Sequence, residues 1–299
     1  NTTASNNTAL GYNAMSANTT GDSNVAIGSQ AFITNTVGDR NVAVGVAALQ
    51  SQSNSSDVDA YNVAVGYYAG QSMTTGIENT LIGGKAGDAI TEAKYNVAVG
   101  MNALGTNILG WKNTAIGNNA LGTMNPASAA DTYNVGVGHN AGINVTTGVD
   151  NTILGGLAGD AVTTGSYNVA VGRSALGSNT TASSNISIGW TSLGACVEGG
   201  KNVGIGHQSL RNLNPSSASN THNTAIGYHS GLNISTGTNN TILGSEAGDA
   251  LTTGSNNIVI GRSAAASAVD VSNEITLGDS NISAIRAQVT SISSLSDKR

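Results

Sequence analysis

The chain has 299 residues, including 40 glycines and 37 asparagines, but only 9% are charged and 4% are aromatic. An apolar fraction of 39% with a net charge of -6 argues against disorder, and a single cysteine excludes a disulfide scaffold. No stretch approaches the 18 apolar residues of a membrane span, so we expect no membrane insertion. With 11 basic residues, no basic cluster and a negative net charge, we expect no nucleic-acid partner.

A short repeat runs along the chain. The pentapeptide Asn-Val-Ala-Ile-Gly at 24–28 recurs in similar form at 41–45, 62–66 and onwards. Its glycine marks sixteen units, with twelve gaps of 17 residues and three of 21: 11, 28, 45, 66, 83, 100, 117, 138, 155, 172, 189, 206, 227, 244, 261 and 278. Frequent Gly and Asn disfavour helices. We therefore expect stacked coils of short strands and turns, which form a shaft about 70 Å long.

Each column of the repeat predicts a local structure. The residue before the glycine is always Val, Ile or Leu, and the residue three before it is always β-branched (Val, Thr or Ile). The residue between them is usually small. This alternation predicts a strand with one bulky face. The glycine suits a corner where a side chain would clash or φ is positive. The residue four before it is Asn in fifteen units, which predicts either a side-chain ladder or a turn.

The 21-residue units insert four residues within 50–60, 122–132 and 211–221. Because each insertion falls at one place in its unit, we expect loops that bulge from one side of the shaft. A later unit of each block carries Ala-Gly-Asp-Ala, and we interpret Asp88, Asp160 and Asp249 as turn caps. A calcium column would need a nonapeptide pattern that is missing, and a glycosidase needs a second, facing carboxylate. We expect no catalytic residue, cofactor or metal site.

The remaining candidates are aromatic or titratable. We interpret the histidines as turn or solvent-facing residues, although on a threefold axis one histidine supplies three metal ligands: His139, His207, His222 and His229. Tyrosines that precede the repeated Asn predict either a packing column or a stripe that stacks on polysaccharide: Tyr61, Tyr95, Tyr133 and Tyr167. Cys196 is interpreted as a buried thiol. Trp111 and Trp190 are the candidate receptor contacts, because an exposed Trp is a strong binding anchor.

The pattern Asn-Val-Ala-Ile-Gly-x-x-Ala at 24–31 resembles the head repeats of trimeric bacterial adhesins of the YadA type, and the resemblance covers residues 7 to about 280. It implies a left-handed parallel β-roll in which three chains coil side by side, although the usual adhesin coil is somewhat shorter. We expect a thin single-chain core with about two bulky apolar residues per strand, and small residues in other columns that let backbones approach closely at a threefold axis. The thin core and the strand surfaces that a single chain leaves exposed also favour a trimer. A monomeric β-solenoid is the alternative.

The C-terminal residues resemble a second family. Ser296, Asp297 and Arg299 are similar to the start of the endosialidase-type intramolecular chaperone that follows phage tail fibres. The resemblance implies cleavage between Leu295 and Ser296, and a chain that is a piece of a longer protein. We expect three segments: a β-roll shaft at 1–280, a trimerising segment at 281–295 and the start of the cleavage motif at 296–299. The apolar spacing in 281–295 also fits a three-helix or β-prism tip.

The sequence therefore predicts an all-β parallel β-roll or β-solenoid of about sixteen coils, left-handed and trimeric. Its expected function is the non-enzymatic shaft of a homotrimeric phage tail fibre, located in the virion. Its expected partners are its own copies and a glycan or protein receptor on the host cell surface. The head of a bacterial trimeric autotransporter adhesin, on the bacterial cell surface, is the alternative, and a polysaccharide-degrading tailspike is the third reading.

Overall fold

The computed structural model describes residues 3–54 and 56–285, which form a parallel β-solenoid of sixteen coils without a helix. The predicted cleavage junction at Leu295 and Ser296 lies outside the described residues. One three-residue strand per coil pairs with the strand of the next coil, and together they form the main sheet. Its strands are Thr8–Leu10, Val25–Ile27, Val42–Val44, Val63–Val65, Thr80–Ile82, Val97–Val99, Thr114–Ile116, Val135–Val137, Thr152–Leu154, Val169–Val171, Ile186–Ile188, Val203–Ile205, Thr224–Ile226, Thr241–Leu243, Ile258–Ile260 and Ile275–Leu277. The predicted all-β class and coil number are confirmed.

Each 21-residue unit adds a two-residue side strand that pairs with the coil before it. The pairs are Gly38–Asp39 with Val58–Asp59, Gly110–Trp111 with Ala130–Asp131, and Gly199–Gly200 with Ser219–Asn220. The insertions thus lie at one position of the coil, as the sequence predicts. Part of each insertion is strand rather than loop, and this pairing ties the longer coil to the coil beneath it.

The strands of the main sheet place their small residue inside the coil and their bulky residues outside, so the expectation that the two bulky residues of each strand form the core is wrong. Ala26 is fully buried, whereas its neighbour Ile27 is 37% exposed. Successive side chains of a strand point to opposite faces, so the same division holds in coil after coil. The residues one and three before the corner glycine therefore form a continuous outward stripe, from Thr8 and Leu10 to Ile275 and Leu277. We call this stripe the apolar ribbon.

Residues of the turns complete the core. Where the middle residue of the strand is large, the residue four after the corner glycine is small, and the reverse also occurs. Four coils combine Ala in the strand with a buried Leu four residues after the corner glycine: Leu49, Leu104, Leu121 and Leu176. Where the strand instead carries Leu81, the turn carries Gly87, and a Cβ added to Gly87 would lie 2.8 Å from Leu81 Cδ2. Ile153 with Gly159 and Ile242 with Gly248 repeat the exchange. In the coils that show it, the exchange keeps the core volume filled, as close packing requires.

The corner glycine meets both conditions that the sequence predicts. Gly100 has a φ of +129°, and a Cβ there would lie 2.6 Å from the carbonyl oxygen of Gly117 in the next coil. A side chain would therefore suffer both backbone strain and a clash with backbone.

The repeated asparagines form a buried side-chain ladder. Asn96 Oδ1 accepts the backbone N–H of Asn113 at 2.9 Å, and Asn96 Nδ2 donates to the carbonyl of Gly110 at 3.0 Å. The first contact recurs at each of the fifteen steps from Asn7 to Glu274. The ladder gives hydrogen-bond partners to backbone groups that the coil would otherwise bury alone.

Candidate receptor-contact surface

Four aromatic rings lie in contact at one place on the shaft. Trp190, His207 and Tyr228 each follow the corner glycine of three consecutive coils, and His229 follows Tyr228. The Trp190 and His207 ring centroids are 4.7 Å apart, and those of His207 and Tyr228 are 5.1 Å apart. His229 stacks on Tyr228 at 3.8 Å and lies 5.4 Å from His207. Identical positions stack one coil apart, which brings these rings together. We call these four residues the ring cluster.

The ring cluster presents aromatic surface to solvent. Trp190 is 42% exposed and Tyr228 is 47% exposed. The fold does not require rings in this column, because other coils carry Ser29, Gly84 or Arg173 there. Aromatic faces of this kind stack on sugar rings or on cations. In a chain that is only 4% aromatic, this grouping is the strongest candidate for a receptor contact.

The second tryptophan has a different environment. Trp111 lies in a side strand, is partly buried and packs against the core. The Lys94 ammonium lies 5.5 Å from its ring centroid. The two tryptophans lie on distant coils, so the structure does not bring them together. Trp190 is therefore the more accessible of the two candidates.

The tyrosines that precede the repeated Asn are about half exposed and lie two coils apart: Tyr61, Tyr95, Tyr133 and Tyr167. Two of them contact a cation of the coil before. The Lys112 ammonium lies 4.9 Å from the Tyr133 ring centroid and 2.7 Å from Asp131 Oδ2. The contact with Lys112 lowers the pKa of Asp131. Arg40, Asp59 and Tyr61 form the equivalent group at the first long coil. These contacts anchor side strands.

The Asp and Cys residues singled out in the sequence are partly or fully buried in turns. Burial raises the pKa of the Asp88 and Asp160 carboxyls, against backbone hydrogen bonds that lower it. Each lies in its own block, so the two carboxylates do not stack on one another. Burial also raises the pKa of the Cys196 thiol to about 11, and its Sγ lies 3.3 Å from the Gly199 carbonyl. Cys196 is buried, as the sequence predicts.

The histidines do not converge on a metal-binding arrangement. His139 and His222 are exposed, whereas His207 and His229 belong to the ring cluster. Within residues 3–54 and 56–285, no three His, Cys, Asp or Glu side chains are close enough to hold a metal ion together.

No protein-family model, curated protein or solved structure matches this chain. Over the part of the chain that the structure describes, no helix has the length and apolar character needed to cross a membrane.

Proposed function

We propose that the chain is the non-enzymatic shaft of a homotrimeric phage tail fibre that serves attachment to a host cell. The apolar ribbon supports a trimer, and the ring cluster supports receptor contact. The C-terminal residues support a tail fibre rather than an adhesin.

The apolar ribbon is a surface that needs a partner. Its 32 positions, two in each of sixteen strands, hold only Val, Ile, Leu and Thr, although the chain has 17 acidic and 11 basic residues to place. Ile82 and Ile116 near its middle are each 39% exposed. Monomeric proteins rarely leave an apolar patch of more than a few hundred Å² uncovered, and this ribbon is about 70 Å long.

Further copies of this chain are the occupants that fit the ribbon best. The ribbon repeats once per coil, so a parallel copy has bulky residues at the same spacing and matches it coil for coil. Three copies around one axis cover both columns of every ribbon, and such closed symmetric association is common among soluble oligomers. The resemblance to trimeric adhesin heads implies the same number.

The C-terminal residues favour the fibre over the adhesin head. Ser296, Asp297 and Arg299 resemble a chaperone cleavage motif of phage fibres. The bacterial adhesin head remains the second candidate, because the same roll serves both, and the polysaccharide-degrading tailspike is the third. The fibre recognises a bacterial surface, whereas the adhesin recognises animal matrix or cells.

Fluorescently labelled protein tests the proposal on a panel of bacterial strains and on surfaces coated with animal matrix proteins. We expect saturable binding to a subset of the bacteria and a loss of at least 10-fold in Trp190→Ala, with Trp111→Phe as the matched control. Binding only to matrix would establish the adhesin reading. Release of sugar from the bound bacteria would establish the tailspike, and absence of binding to every surface would overturn a role in attachment.

A further inference from the structure

We infer that two grooves of the same build, one in each of two successive blocks of coils, each bind a short stretch of carbohydrate. Groove A has a volume of 310 Å³ and runs from Asp88 to Ile143. Groove B has a volume of 360 Å³ and runs from Asp160 to Arg211. The Asp and Gly residues of the two grooves are 72 residues apart and the far ends Ile143 and Arg211 are 68 apart, which in both cases is four coils, or about 19 Å along the shaft. The inference does not depend on which attachment role the shaft serves.

Glycines form the floor of both grooves. Gly105 and Gly122 line groove A, and Gly177 and Gly194 line groove B. All four stand five residues after a corner glycine, and none has a left-handed φ. At the same position other coils carry a large side chain, for example Gln71. A Cβ would lie 3.1–3.2 Å from the nearest backbone oxygen at Gly105, Gly122 and Gly177. At Gly194 it would lie 2.9 Å from the Thr191 carbonyl oxygen, so the backbone there must shift slightly to accept a side chain. The missing side chains are what open the grooves.

A carboxylate closes one end of each groove. Asp88 and Asp160 stand in the coil before the two glycine coils, and Ile143 and Arg211 in the coil after them. The two ends are thus three coils apart, or about 14 Å. The ion pairs found in residues 3–54 and 56–285 involve other acids, so neither carboxylate is neutralised by a salt bridge there. Partial burial raises the pKa of both carboxyls, so a ligand hydroxyl would meet a poorly solvated acceptor.

The walls carry hydrogen-bonding groups. Groove A is lined by Asn102 and Asn119, and groove B by Thr191 and Asn212. The Thr191 hydroxyl oxygen is buried and has no hydrogen-bond partner in the protein. Amides, hydroxyls and carboxylates are the side-chain groups that complement the alternating donors and acceptors of a polyol. An unpaired buried hydroxyl is costly in the free protein, and a ligand oxygen in groove B would supply its partner.

The charge of the lining residues and the volume of the grooves favour a sugar over other small ligands. The lining of each groove contains one acid and one base, Asp88 and Lys85 in groove A and Asp160 and Arg211 in groove B, which disfavours a multiply charged anion. The volumes of 310 and 360 Å³ lie at the small end of ligand sites, the size of one or two sugar rings. Each lining contains a single carboxylate, whereas glycoside hydrolysis uses a pair. The grooves therefore bind sugar without cleaving it.

Groove B lies beside the ring cluster in sequence. Thr191 of groove B directly follows Trp190, and the groove shares two coils with the cluster. Groove A has no such neighbour, because its glycine coils carry Met101 and Asn118 in the ring-cluster column. We expect groove B to bind more tightly than groove A.

A glycan array of bacterial and animal oligosaccharides, followed by titration of the best binder, tests the inference on the full chain. The variants Gly177→Gln/Gly194→Gln and Gly105→Gln/Gly122→Gln fill one groove each with a side chain that other coils tolerate. We expect the first to weaken binding at least 10-fold, the second to weaken it less, and the fourfold variant to abolish it. Thermal midpoints serve as the folding control.

A second pair of variants keeps the groove volumes. Asp160→Asn and Asp88→Asn each remove one charged acceptor without adding an atom, and we expect Asp160→Asn to have the larger effect. No binding to any glycan, or wild-type binding by the fourfold glutamine variant, would overturn the inference. If binding is lost in Trp190→Ala but retained in that fourfold variant, the ring cluster alone holds the glycan. That result would overturn the groove sites and leave the proposed attachment function intact.

Discussion

Asn107 and Asn179 occupy the same position of their coils, seven residues after the corner glycine, yet of the two side chains only that of Asn107 is hydrogen-bonded. Asn107 Nδ2 donates to the Gly110 carbonyl at 2.8 Å, and its Oδ1 accepts the Gly110 N–H at 2.8 Å. Asn179 is fully buried, and neither polar atom of its side chain has a partner. Its neighbours in the column, one coil away on each side, are Val162 and Cys196. Asn therefore stabilises the turn at Asn107 and destabilises the turn at Asn179.

Replacing Asn179 by Val should stabilise the shaft. The substitution removes two buried unsatisfied groups, each of which costs about 1–3 kcal/mol, and Val162 shows that the column accepts the side chain. We expect a higher thermal midpoint by circular dichroism. Asn107→Val is the matched control and should lower the midpoint, because it leaves the Gly110 N–H without its acceptor. A lower midpoint for Asn179→Val would contradict the assignment.

Two adjacent glycines separate the effect of the corner from that of an ordinary turn position. Gly83 has a φ of +133°, and a Cβ there would lie 2.7 Å from the Gly100 carbonyl, whereas a Cβ on Gly84 meets nothing within 4 Å. Gly83→Ala should destabilise the fold by about 3 kcal/mol or more through strain and clash. Gly84→Ala should be neutral or stabilise it by up to about 1 kcal/mol. Denaturant unfolding of both variants checks this contrast, and equal effects would refute it.

The asparagine ladder should be intolerant of truncation. Asn134 Oδ1 accepts the backbone N–H of Asn151 at 3.0 Å, and its Nδ2 donates to the Gly148 carbonyl at 2.8 Å. Asn134→Ala removes both contacts inside the coil, so we expect a loss of about 2 kcal/mol or more in unfolding free energy. Asn118→Ala, at a half-exposed turn position, serves as the control. Hydrogen exchange should show faster exchange at the Asn151 amide in the ladder variant alone.

Stability should fall at alkaline pH through Cys196. Burial raises the pKa of this thiol from 9 to about 11, so between these values the unfolded chain loses its proton while the folded chain keeps it. The thiol's contribution is fully present below pH 9 and is lost as the pH rises to about 11, which amounts to about 2–3 kcal/mol.

Cys196→Val isolates this titration from that of other groups, since Val occurs in the same column at Val162. The unfolding free energy of the wild type minus that of the variant should fall by about 2–3 kcal/mol as the pH rises from 9 to 11, and should stay constant below pH 9. A difference that is flat across that interval would show that the thiol is solvated.

The coil, its corner and its strand were predictable because they depend on the local pattern of a few residues repeated sixteen times. Which face of the strand lies inside was not. A period of two places Val25 and Ile27 on one face and Ala26 on the other, but it does not say which face is enclosed. The core volume decides this: a 17-residue coil has room for Ala26 beside Phe32 of its own turn, and both are fully buried.

The candidate sites were predictable only in part. Trp190, His207 and Tyr228 share a column in the sequence, so aligning all the units would have indicated a stack. The 21-residue gap between His207 and Tyr228 interrupts the 17-residue spacing and hides the shared column. The glycines that form the floor of the grooves also share one column of the repeat, five residues after the corner glycine. That these glycines open a groove could not be predicted from their column alone, because the open volume also depends on the side chains of neighbouring coils and columns.

The most direct test of the apolar ribbon is the native mass of the purified chain at micromolar concentration, measured by native mass spectrometry. We predict a particle of three times 29.6 kDa. The variant Ile82→Lys/Ile116→Lys, which places charge in the middle of the ribbon, should give folded single chains. A wild-type protein that remains a stable monomer would contradict the proposal that three copies cover the ribbon.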